Sequence, residues 1–188
     1  TIVSFSLSFV VDKQNDIYCL MITGYTPTRR KFALNSIQNW FNQTYSKKKL
    51  IILNQSKKKL INQENENILE LYIDNTEKTL GEIRNIALDL VPPNAYWTTW
   101  DDDDWRNEKY LQIMMNTLLY NNADMVMYTN RYEYNINSKF AFKSTFHTGF
   151  PIFFARKDEI LRYDNIKTLE DVNVKEYAIQ HMKTYIYE

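Results

Sequence analysis

Residues 95–105 read Ala-Tyr-Trp-Thr-Thr-Trp-Asp-Asp-Asp-Asp-Trp: an apolar run of strand length, then four consecutive aspartates with a tryptophan on each side. The run is apolar enough to lie in a sheet covered on both faces. The acids follow it without a spacer, which sets them at a strand's carboxyl end, where open α/β sheets bind their ligands. Adjacent carboxylates repel one another, and apolar neighbours raise the cost of their charge, so a cation is expected to offset it. Mg²⁺ or Mn²⁺ suits such a place, because these ions take carboxylate oxygen and commonly use only one or two protein carboxylates together with substrate phosphates. Taken alone, the acids also read as a solvated turn or a helix start capped by Asp104. The strand before them and the helix after them favour the bound ion.

Working outward, apolar runs alternate with helix-like segments. Residues 17–22, 49–54 and 68–73 read as strands, and 95–100 as the strand that carries the acids. Residues 30–41 form a helix with Phe32, Ile37, Trp40 and Phe41 as its apolar stripe; 81–90 form another with Ile83, Ile86, Ala87 and Leu90, stopped by Pro92-Pro93. Beyond the acids come a helix at 110–120, a strand at 125–129, a loop around His147-Thr148-Gly149, a strand at 151–155 and a helix over 171–187. Residues 1–11 have β character without a clear partner, and 55–67 is polar and unassigned. The alternation predicts an α/β fold with a mainly parallel central sheet flanked by helices.

With 188 residues, 44% of them hydrophobic, the chain is read as one domain over 1–188, either a whole protein or one domain of a longer one. Its 23 basic and 23 acidic side chains cancel, so no overall field holds it to nucleic acid or an anionic membrane, and an anionic ligand must be held locally. Cys19 is the one cysteine, which excludes an intrachain disulfide and fits a reducing, cytoplasmic compartment. No apolar run reaches the length of a membrane span.

Several local patterns then occur in one order. Tyr96-Trp97-Thr98-Thr99-Trp100-Asp101-Asp102-Asp103-Asp104 runs on to Leu111, ten residues after the first aspartate. Upstream stand Thr23-Gly24-Tyr25, Ser36-Ile37, Gln43-Thr44-Tyr45 and Gly81-x-x-Arg84-Asn85; downstream stand Gly149 with Ile152-Phe153-Phe154-Ala155-Arg156, and Leu169-Glu170-Asp171. Over residues 17–182 this order resembles the family-2 glycosyltransferases, which are built on the GT-A fold. The resemblance implies a sugar nucleotide as donor, most simply a UDP-sugar, with Mn²⁺ or Mg²⁺, and a glycan, protein or lipid-linked acceptor. It makes Asp101 and Asp103 the Asp-x-Asp pair. Asp103 is then on the metal, Asp101 on the ribose or on the metal, and Asp102 is the variable residue beside the nucleotide; a slipped register using Asp102 and Asp104 stays open.

The same resemblance brings Arg84 to the nucleotide or its phosphates, although its Gly-x-x-Arg-Asn is one residue shorter than the family's pattern. It sets Thr23 and Tyr25 at the base and treats the Gln43 segment as structural. It makes Asp171 the base that takes the acceptor's proton in an inverting transfer, with Glu170 beside it. Where the family has Asp-Asp-x-Ser after the second strand, this chain has Asn54-Gln55-Ser56, so Asn54 becomes the candidate contact to the nucleobase edge. Two other classes stay in view. A nucleotidyltransferase would share the metal site but would carry a glycine-rich loop where only Gly24 stands, and a binding module would keep the shape without turnover.

Overall fold

The computed structural model describes residues 15–24, 26–56, 58–74, 77–135, 137–158, 160–165 and 171–187. The segment 1–11, with its β character, lies outside them, as do Tyr25 and Glu170. Four strands form a parallel half-sheet: β1 (Ile17–Thr23), β2 (Lys48–Asn54), β3 (Ile68–Tyr72) and β4 (Tyr96–Thr99), with β1 between β2 and β4 and β3 outside β2. The second half adds β5 (Met125–Asn135), β6 (Phe140–Arg156) and β7 (Thr184–Tyr187), giving the order β3-β2-β1-β4-β6-β5-β7. β6 is antiparallel to both β4 and β5, and β7 is parallel to β5, so parallel pairing prevails.

Apolar residues on both faces of β1 and β2 are buried, as strands covered on two sides require. On one face Tyr18, Leu20, Ile51, Leu53 and Trp97 pack under helices α2 (Leu80–Asp89) and α4 (Asp171–His181), which supply Ile83, Ala87, Val174 and Ala178. On the other, Cys19, Met21, Leu50, Ile52 and Trp100 pack under α1 (Pro27–Phe41) and α3 (Tyr110–Tyr120), through Ile37, Trp40, Leu111 and Met115. Burial also pushes the Cys19 thiol up to about 12, which leaves it an inert core residue.

Local chemistry fixes where the helices begin. Thr26 accepts from the Arg29 amide and Pro27 opens α1, three residues earlier than the apolar stripe indicates. Thr79 and Glu82 close a capping box at the start of α2; the backbone and side chain of Thr79 hold the Glu82 carboxyl below its ordinary range.

The second half departs from expectation in two places. His147-Thr148-Gly149 is not a loop before a strand but lies within β6, at the irregularity where the register with β5 shifts between Asn130↔Thr145 and Tyr128↔Phe150. Helix α4 stops at His181, and Thr-Tyr-Ile-Tyr at 184–187 pairs with β5 instead of continuing the helix, as β-branched and aromatic side chains favour. Among the described residues no helix is long and apolar enough to cross a membrane.

The parallel half positions the site. Thr23 pairs with Asn54 and Leu20 with Thr99, while the Trp100 amide donates to Leu20 O at 2.8 Å. β4 therefore ends short of β1, and the acids lie alongside the last residues of β1.

Candidate functional site

The acidic loop has no regular structure, so its backbone groups need other partners. Residues 36 and 39 of helix α1, and Gln43 just past its end, supply them, with Arg29 seven residues before Ser36. Ser36 Oγ donates to Asp101 O (3.2 Å), and Ser36 O accepts from Trp100 Nε1 (3.1 Å). Asn39 makes a reciprocal pair with the Arg106 backbone, donating to its carbonyl (2.7 Å) and accepting from its amide (3.0 Å). Gln43 donates to Asn107 O (2.8 Å) and accepts from the Leu111 amide (3.2 Å), and the Thr44 amide donates to Glu108 O (2.8 Å). The carboxylates are thereby released from holding their own loop.

Each aspartate meets a guanidinium. Arg29 Nη1 donates to Asp102 Oδ1 (2.6 Å) and to Asp103 Oδ2 (2.8 Å). Arg84 Nη2 stands 3.6 Å from Asp101 Oδ1, and Arg106 Nη2 stands 3.3 Å from Asp104 Oδ2. This corrects the premise that the run needs an outside cation to be tolerated: three arginines of the chain already offset most of its charge. Arg106 is buried beneath the loop, donates to Thr99 O (3.2 Å), and lies 4.6 Å from the Trp100 ring and 5.4 Å from that of Tyr110.

Burial nevertheless raises the Asp102 carboxyl, despite the opposing pull of Arg29, and raises Asp104 despite Arg106. For Arg29 burial acts downward, but Asp102 and Asp103 outweigh it and hold the guanidinium above its ordinary value. Asp102 is 4% exposed, and among the described residues its Oδ2 has no hydrogen-bond partner within full bonding distance; the Thr23 hydroxyl stands beside the carboxylate. Asp101 and Asp103 open outward, at 38% and 49% exposure.

Beside them lies a cleft lined by Leu20, Ile22, Arg84, Thr99, Asp101 and Tyr163. Neighbouring residues of α2 build it from two directions. Arg84 faces the cleft, 5.3 Å from the Tyr163 ring, while Asn85 grips the Tyr163 backbone at both N and O (2.9 Å each).

The structure thus brings Thr23, Arg84, Asp101, Asp102 and Asp103 to one edge. Asn54 reaches the same edge, but its groups turn into the loop that follows. Its Nδ2 donates to Glu70 Oε1 (2.6 Å) and Lys58 O (2.9 Å), and its Oδ1 accepts from the Ser56 amide (2.7 Å). A base contact by Asn54 would have to break these bonds. Asp171 opens α4, and the roles assigned to Tyr25 and Glu170 lie outside the described residues. Sequence reasoning missed Arg29, Arg106, Tyr163 and Glu70. Only Arg106, two residues past the acids, carried a local signal.

The donor set suits a divalent ion of limited protein ligation. Among the described residues no group of three or more His, Cys, Asp or Glu converges to hold a metal unaided. Asp101 and Asp103 instead offer outward carboxylates that a diphosphate would complete, as Mg²⁺ and Mn²⁺ sites commonly require.

A parallel half-sheet with carboxylates at its carboxyl edge, flanked by helices on both faces and extended by antiparallel strands, defines a GT-A type α/β domain. The family model for glycosyl transferase family 2 matches residues 26–184, and the chain belongs to that family. Among solved structures it is similar to S. aureus TarS 1-349 in complex with UDP-GlcNAc, with a TM-score of 0.72 at 15% identity, covering 92% of this chain and 56% of that one. S. aureus TarS 1-349 in complex with UDP gives 0.70 at 14%, covering 92% and 57%, and S. aureus TarS gives 0.70 at 14%, covering 92% and 35%. The chain therefore spans less than two thirds of the length of these structures. No curated protein sequence matches it.

Proposed function

We propose that this chain binds a nucleoside-diphosphate sugar, a UDP-sugar in the first instance, and transfers the sugar to an acceptor hydroxyl with inversion. The observation that carries the reading is the outward carboxylate of Asp101 beside Arg84, lining a cleft at the carboxyl edge of the sheet, with the half-exposed carboxylate of Asp103 two residues on. Membership of the family and the UDP-GlcNAc complex of a similar fold support it.

In this reading Asp103 would hold Mn²⁺ or Mg²⁺, Asp101 would bind the ribose or, through water, the ion, and the ion when bound would offset the charge of the departing diphosphate. Arg84 adds a fixed positive group on the other side of the phosphates. Leu20, Ile22 and the Tyr163 ring give the nucleoside an apolar wall, Thr23 closes the end nearest β1, and Tyr25 is the residue assigned to stack on the base. Asp102 anchors Arg29, and Asn54 with Glu70 shapes the loop the base meets. Asp171, with Glu170 beside it, takes the proton of the attacking acceptor hydroxyl, which is a glycan, protein or lipid-linked group. The buried thiol of Cys19 accords with a cytoplasmic site of action.

The second reading, a sugar-nucleotide binding domain without turnover, draws on Asn54, which stands where the family has acids and is committed to its own loop. A coupled assay for released UDP, run over a panel of UDP-sugars with Mn²⁺, separates the two. Slow hydrolysis or transfer that Asp171→Asn reduces supports the enzyme; tight binding with no UDP release from any donor leaves the binding domain.

A further inference from the structure

Arg29 stands in the first turn of α1, its backbone fixed by the bond from its amide to the Thr26 hydroxyl. Its side chain is 46% exposed and long enough to move without the helix. One nitrogen, Nη1, reaches both Asp102 Oδ1 at 2.6 Å and Asp103 Oδ2 at 2.8 Å, so it sits where the potentials of two adjacent carboxylates add. The two partners hold it unequally. Asp102 is buried, with a second oxygen, Oδ2, that has no full hydrogen bond among the described residues, whereas Asp103 is half exposed and open to exchange.

A divalent ion bound to an Asp103 oxygen lies about 2.0–2.1 Å from it. The guanidinium already takes Oδ2 of the same carboxylate, so ion and arginine would be two cations within contact distance, and their repulsion in a half-exposed site is strong. Resting on the donor-site reading above, we propose that Arg29 is an exchangeable counter-ion and a binding residue for the donor. It neutralises Asp102 and Asp103 in the free protein, gives up Asp103 to the divalent ion that arrives with the diphosphate, and turns its released guanidinium onto a phosphate oxygen. Arginine suits both partners, since its planar fork pairs with carboxylate and phosphate alike. The free protein then binds metal weakly, and metal and nucleotide bind cooperatively, because each removes an obstacle to the other.

The test is Mn²⁺ binding, read from the electron paramagnetic resonance signal of free Mn²⁺, with and without UDP, for the wild-type chain, Arg29→Gln and Arg29→Lys. Arg29→Gln should bind Mn²⁺ alone about tenfold more tightly than wild type and bind UDP with Mn²⁺ about tenfold more weakly, reversing the order of the two proteins. Arg29→Lys keeps the charge and should stay near wild type for Mn²⁺ alone. If wild type binds UDP in a Mn²⁺-dependent way and Arg29→Gln binds Mn²⁺ no more tightly, the exchange is wrong and the donor site stands. If neither protein binds Mn²⁺ with or without UDP, the metal site and the exchange both fall.

Discussion

Two loops leave the carboxyl edge of the parallel strands, residues 55–67 after β2 and residues 101–109 after β4, and they assign acids to opposite tasks. After β4, hydroxyl and amide side chains hold the backbone, Ser36 and Asn39 from α1 and Gln43 from just past its end, and the aspartates are left to face outward. After β2 the holding group is itself an acid. Glu70, on β3, accepts from the amides of Leu60 (2.9 Å) and Ile61 (3.0 Å) and from Asn54, while Arg30 ties the carbonyls of Lys58 and Lys59. A carboxylate saturated by backbone donors is part of the scaffold. One whose loop is held by others is available for a ligand.

That contrast can be broken by substitution. The largest effect is expected from Asp103→Ala, which should lower sugar transfer by about a hundredfold or more, the scale of losing one electrostatic contact at a transition state, while the urea midpoint hardly moves. Glu70→Ala should do the reverse. Leaving the amides of Leu60 and Ile61 without their acceptor should cost about 2–4 kcal/mol of folding free energy, measured by urea unfolding. Asn39→Ala should cost about 1–3 kcal/mol and also weaken UDP binding, because it unpins Arg106 beneath the acids. Equal stability losses in Asp103→Ala and Glu70→Ala would erase the distinction between the loops.

The smallest effect concerns pH. Burial raises the Asp102 carboxyl in the folded chain, so the folded state binds more protons than the unfolded one between the ordinary carboxylate value and the raised one. Stability contributed by that proton is present below this window and is lost as pH rises through it. Asp102→Asn should therefore melt higher than wild type at neutral pH, and the gap should close as pH falls below the ordinary carboxylate range. A gap that widens on acidification would show that Arg29 outweighs burial.

The sequence marked the residues that break a pattern and hid those that complete one. Four aspartates at the end of an apolar strand, with Leu111 in register behind them, stand out because they are costly there, and the alternation of strand and helix carried the parallel half. Asn39 is an unmarked polar position of a helix and Gln43 belongs to a segment read only as structural, since nothing along the chain says that an irregular loop will lie against them. Arg29 meets carboxylates 73 and 74 residues away, and Glu70 stands in an apolar strand where an acid merely interrupts the run. In the second half the exposed aromatics of the hairpin, Tyr132, Tyr134 and Phe140, do not alternate against a core, so the length of β5 and β6 and the switch from α4 to β7 were set by pairing, not by pattern.

Asp103 is the residue on which metal and donor binding are proposed to meet. Titration calorimetry of a UDP-sugar, with and without Mn²⁺, into the wild-type chain and Asp103→Ala should give binding that Mn²⁺ strengthens in the first protein and leaves unchanged in the second. Binding that is the same in both proteins and indifferent to Mn²⁺ would contradict that role.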